Sequence, residues 1–109
     1  METALLTRNR STDTNGSHFS EEIKKAVWNK AKEAEGYDPN IIRKDYCGAL
    51  MQWDKYGDTE MFGLGWEIDH IKPVALGGND DLSNLQPLQW QNNRNKANKY
   101  PTSDYCEMP

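Results

Sequence analysis

Between Trp66 and Lys99 the chain reads WEIDHIKPVALGGNDDLSNLQPLQWQNNRNKANK, a stretch that leaves few ways to fold. Residues 66–70 alternate apolar and polar side chains of β-forming type, which predicts a strand. Pro73 ends it, because proline has no N–H to give a ladder. Gly77-Gly78 tolerates positive φ and Asn79-Asp80 favours a turn, so residues 74–83 read as a loop. A second short strand is expected near Asn84 to Leu88, pairing back on the first. A helix is expected from Gln89 to Asn98, stopped by Pro101. Its asparagines are poor helix formers, so packing of Trp90 and Ala97 has to override propensity. Trp66, Ile68, Leu85, Leu88 and Trp90 are the apolar residues that can hold strand, loop, strand and helix together.

The remainder of the chain has to support this unit. Its 109 residues suffice for one small domain and not for two. Apolar residues are only 36%, but four Trp and five Tyr bury much area each, which predicts a small, aromatic-rich core. Residues 1–18 are polar and read as a disordered leader, with no apolar segment of signal-peptide length. An uncleaved, cytoplasmic protein is therefore expected, and no apolar run is long enough for a membrane. The domain is expected over 19–101, with 102–109 as a C-terminal tail. Residues 20–35 read as a helix capped by Ser20 and stopped by Gly36, with Ile23, Ala26, Val27, Ala31 and Ala34 on one face. Residues 37–48 read as a connector, and 49–56 suit either a strand or a helical turn. Cys47 and Cys106 cannot make a four-cysteine zinc site and are expected to be free thiols. His18, at the end of the leader, is given no role.

Charge is distributed unevenly. Residues 54–85 hold seven acids and two bases, while 86–100 hold Arg94, Lys96 and Lys99 and no acid. An acidic cluster beside a basic segment suits a cation facing a phosphate. Hydrolysis of a phosphodiester needs a base for water, positive charge on the phosphate and stabilisation of the leaving oxygen. Neutral imidazole, here His70, matches the first need near neutral pH. A hard divalent cation on oxygen ligands matches the others, and Asp69 and Asn93 offer a carboxylate and an amide oxygen. Asn84, in the returning strand, is placed to bond the loop and so fix His70. Lys72, Arg94, Lys96 and Lys99 are candidate phosphate contacts, and Arg43 could touch a nucleic-acid backbone or pair with Asp45.

The order Asp69-His70, Gly77-Gly78, Asn84 and Asn93 resembles the HNH, or ββα-metal, endonucleases over about a third of the chain. The resemblance implies an α+β fold, a ββα-metal motif with an N-terminal helix and a small β-hairpin. It implies Asp69 as metal ligand, His70 as general base, Asn84 as the residue orienting the base loop, and Asn93 in the third position of the pattern. Asparagine there is similar to the nuclease domain of CRISPR effectors, whereas colicin nucleases use histidines around the metal. Magnesium or manganese is thus the expected cofactor, with zinc or nickel as the alternative. The paired CxxC zinc clips of many HNH proteins are missing. The function expected is a metal-dependent DNA endonuclease of little sequence preference, with DNA as partner and a homodimer allowed. The competing readings are a non-catalytic nucleic-acid-binding module and an antibacterial toxin nuclease held by an immunity protein.

Overall fold

A computed structural model describes residues 10–109. The core is aromatic. Trp28, Trp53 and Trp66 stand 5.0 to 5.8 Å apart, Tyr56 meets Trp66 edge-on at 4.9 Å, and Val27, Met51, Ile68 and Leu85 close the cluster. Each central indole also finds an acceptor, Trp28 Nε1 donating to the Pro39 carbonyl and Trp66 Nε1 to that of Trp53. Such burial without orphaned polar atoms is what lets large aromatics hold a small domain.

Helix α1 spans Glu21–Trp28 and is capped by Ser20, whose Oγ accepts from the Ile23 N–H, as expected. It stops well short of Gly36. The Lys30 and Ala31 N–H groups tighten onto the Val27 and Trp28 carbonyls, and the chain turns into strand β1, Lys32–Glu33. Past this stop the Lys30 ammonium reaches the carbonyls of Leu82 and Leu85. The expected connector contains strand β2, Ile42–Lys44, and the ambiguous 49–56 segment takes both forms offered. Strand β3 is Leu50–Gln52, followed by one 3₁₀ turn at Trp53–Lys55. These strands form an antiparallel sheet in the order β1-β2-β3.

The hairpin follows as read, and the helix is shorter than the expected Gln89 to Asn98. Strand β4, Trp66–His70, pairs antiparallel with β5, Leu85–Gln89, and α2 spans Trp90–Lys96. Pro87 sits inside β5 opposite Ile68, and the register explains how a ladder tolerates it. At this position the N–H groups face away from the partner strand. Accordingly the Ile68 N–H donates to Ser11 Oγ and the Gln89 N–H to Asp45 Oδ2.

Three expectations are corrected here. Residues 10–18 of the expected leader fold onto the hairpin, with Thr12 bridged to His18 and Ser11 capping the outer edge of β4; residues 1–9 lie outside the described residues. His18 is exposed. Cys47 and Cys106 are not free thiols but a disulfide, with Cα atoms 5.4 Å apart across a separation of 59 residues. The turn after β2 makes it. Asp45 Oδ1 accepts from the Cys47 and Ala49 N–H groups, presenting Cys47 to the C-terminal segment. That segment is part of the domain as well. Tyr105 is buried, and Asn92 of α2 accepts from the Glu107 and Met108 N–H groups while donating to Asp45 and the Met108 carbonyl.

Candidate active site

Side chains alternate along a strand, so β4 sends Glu67 and Asp69 to one face and Ile68 and His70 to the other. Helix α2 covers the acidic face. Asn93 Nδ2 donates to Glu67 Oε1 at 2.8 Å, and Arg94 lies 3.8 Å from Glu67 Oε2. Lys96 is 2% exposed; its ammonium stands 3.3 Å from the Asp69 carboxylate and donates to the His70 carbonyl at 3.0 Å. Gln86, opposite Asp69 on β5, donates to Asp69 Oδ2 at 2.9 Å. Burial pushes the Asp69 carboxyl upward, and the bond from Gln86 and the charge of Lys96 only partly offset it. This carboxylate gains from any further cation brought near it.

His70 is held from the loop. Its Nε2 lies 2.8 Å from Asp80 Oδ1, and the Phe19 ring packs 6.0 Å from the imidazole. Partial burial draws the Asp80 carboxyl upward, but hydrogen bonds from His70 and Thr14 outweigh it and leave the group below the usual carboxylate range. An ionised carboxylate only accepts, so a neutral imidazole bonded to it has its proton on Nε2 and its lone pair on Nδ1. Asn84 ties the loop at three points. Its Oδ1 accepts from the Lys72 N–H, and its Nδ2 donates to the Lys72 and Asn79 carbonyls. Of the two glycines, Gly77 takes positive φ, at 93°, whereas Gly78 is needed for closeness: a Cβ there would lie 1.7 Å from the Lys72 carbonyl oxygen.

Asp69 and His70 thus close β4 with their side chains on opposite faces, Asn84 ties the loop that follows them, and Asn93 on α2 meets Glu67, the residue two before Asp69. Lys72, Arg94 and Lys99 are exposed beside the hairpin, Arg94 lying over the Trp90 ring. Lys96 is not an exposed phosphate contact: α2 turns it inward onto Asp69. Arg43 also spends its donors internally, Nε on the Pro39 carbonyl and Nη1 on that of Ala31. Sequence reasoning missed Glu67, Gln86, Asp80 and Thr14. The two-residue period of β4 was enough to put Glu67 beside Asp69, and the antiparallel register to put Gln86 opposite it; nothing local pointed to Thr14. Arg10 was missed as well. It stands within electrostatic reach of Arg94, Glu67 and Asp69, and burial followed by the like charge of Arg94 lowers its pKa.

A family model, HNH endonuclease, matches residues 45–99, which takes in β3, the hairpin and all of α2. The chain belongs to the HNH endonuclease family. Neither a curated protein nor a solved structure matches it. Membership carries a nuclease-related, nucleic-acid-directed function, and such nucleases usually use divalent metals.

The HNH motif here fits a hard cation by the chemistry of its donors. Among the described residues no three His, Cys, Asp or Glu side chains gather as a metal site. The oxygens that would hold the cation are those of the Asp69 carboxylate, which now accept from Gln86 and Lys96, and Oδ1 of Asn93, whose Nδ2 is committed to Glu67. Oxygen donors of this kind suit magnesium or manganese.

Proposed function

We propose that this HNH protein is a metal-dependent endonuclease that hydrolyses phosphodiester bonds in DNA with little sequence preference. The observation that carries the reading is the contact of His70 Nε2 with Asp80 Oδ1, at the end of the strand that bears the buried Asp69. His70 Nδ1 takes a proton from water, whose oxygen bonds to phosphorus as the phosphorus–ester oxygen bond breaks. The leaving oxygen takes up a proton, giving one phosphomonoester and one hydroxyl end. A divalent cation, magnesium or manganese, would supply Lewis-acid polarisation of the phosphate and stabilise the leaving oxygen. Asp69 and Asn93 are the residues that would hold it. Asn84 keeps the loop from 72 to 79 closed against the strand end, so the His70 backbone is fixed. Lys72, Arg94 and Lys99 would contact phosphates, which positions a duplex without reading bases.

The test is supercoiled plasmid incubated with the purified protein and a panel of divalent metals. Nicking is expected with magnesium or manganese. His70→Ala should lower its rate by about 100-fold or more, the usual contribution of general base catalysis. One observation favours a second reading, a nucleic-acid-binding module without catalysis: Lys96 already sets a cation against Asp69. Plasmid bound but uncut with every metal would decide for that reading.

A further inference from the structure

Residues 10–18 lie outside the stretch that matches the family, 45–99, yet they touch its working parts at several points. Ser11 Oγ accepts from the Ile68 N–H, at the middle of β4. Thr14 closes on Asp80: its backbone N–H is 3.1 Å from both carboxylate oxygens, and its Oγ1 donates to Oδ2 at 2.7 Å. The turn that presents Thr14 is itself built, with Asp13 Oδ1 accepting from the Asn15 and Ser17 N–H groups at 2.9 Å. Beyond it Phe19 packs on the His70 ring.

We propose that this N-terminal strap is part of the site, Thr14 and Asp80 being positioning residues that hold the His70 imidazole in one tautomer and one orientation. The proposal rests on the nuclease reading of His70 and adds to it a device that the motif alone lacks. The argument is geometric. A carboxylate on an exposed loop has two rotatable bonds and would let the imidazole swing. With Thr14 holding Oδ1 and Oδ2 through its backbone and Oδ2 through its hydroxyl, only one approach to Oδ1 is left, and the His70 Nε2–H takes it. The ring is thereby turned so that Nδ1, the nitrogen that accepts a proton, has one fixed direction. Phe19 fills the side from which the ring could tilt. A hydrogen bond of this kind, one step removed from the reacting atoms, typically governs activity by about ten- to a hundredfold.

The experiment uses the full chain in four forms: wild type, Asp80→Asn, Thr14→Val and Thr14→Ser. Imidazole ¹⁵N spectra in mildly alkaline buffer read the His70 tautomer without any need for turnover. A single Nε2–H tautomer is expected in the wild type and in Thr14→Ser, and a mixture in Asp80→Asn and Thr14→Val. In the nicking assay Asp80→Asn should lower kcat about tenfold or more with KM for DNA unchanged. Thr14→Val should lower it less, and Thr14→Ser should restore it. A tautomer mixture in the wild type, or an Asp80→Asn protein that keeps both the single tautomer and the full kcat, would overturn the proposal. If the wild type cuts with no metal tried, the nuclease reading falls and the nitrogen spectra alone decide this one.

Discussion

Lys96 shows how a single side chain changes what a site asks of its surroundings. It is buried against Asp69 and the His70 carbonyl, so Lys96→Met leaves a carboxylate in the interior without its cation. Breaking such a pair costs about 3 kcal/mol or more. Urea denaturation should show that loss, while the salt dependence of DNA binding stays as in the wild type. Arg94→Gln should instead reduce the log–log salt slope by roughly 1, with a smaller loss of stability because Arg94 is more than a third exposed beside Glu67. Asp80 supplies the pH-dependent case. Its carboxyl is held below the usual range, so the native state favours the ionised form. Its contribution is fully present above the ordinary carboxylate value of about 3.9, and is lost as pH falls through the lowered value in the fold. Thermal melts taken downward from pH 5 should therefore lose less stability in Asp80→Asn than in the wild type. Identical acid limbs would show that the Thr14 and His70 bonds contribute nothing to stability.

At the scale of elements, the loop between β4 and β5 is closed by contact rather than by apolar packing. Gly78→Ala sets a methyl against the Lys72 carbonyl and Asn84 Nδ2, so the loop has to move. We expect destabilisation of about 1–3 kcal/mol and a fall in nicking rate, because the same loop carries Asp80. Crystallography of the variant would show whether the His70–Asp80 bond lengthens. The elements near the site were legible in the sequence for physical reasons. β4 announces itself through alternation and Pro73, and β5 as the segment that returns to pair with it, whereas α2 ends at Lys96, where Ala97 takes positive φ, and not at the expected Asn98 before Pro101. The same local signals failed at α1. Residues 29–34 have the composition of a helix, yet Lys32 and Glu33 pair with Lys44 and Arg43 of β2, a non-local partner that composition does not announce. The places of Asp69, His70, Asn84 and Asn93 in the fold could be read from spacing because each lies in a regular element or a tight loop. Thr14 could not, since its meaning depends on a partner 66 residues on.

For the whole molecule, the disulfide sets a stability to which a bound metal would add. The aromatic core and the bridge are expected to keep the protein folded after chelation. Manganese or magnesium should then raise the melting temperature, by roughly 2.7 kcal/mol of stability at a hundred times the dissociation constant. Asn93→Ala should stay folded and lose that rise; an undiminished rise would remove Asn93 from the ligand set. Reducing Cys47–Cys106 releases a constraint over 59 residues. Chain entropy puts the loss near 4 kcal/mol as an upper figure, and guanidinium titrations with and without reductant would measure it. The bridge has a further effect on the molecule's integrity. It encloses β3, the hairpin, the loop and α2 in one covalent ring. A single protease cut anywhere between Cys47 and Cys106 opens the ring without dividing the molecule. Nicked protein would migrate as one piece until reductant is added, and then as two. Every element between the two sulfurs can therefore survive a break in the backbone with its neighbours still attached.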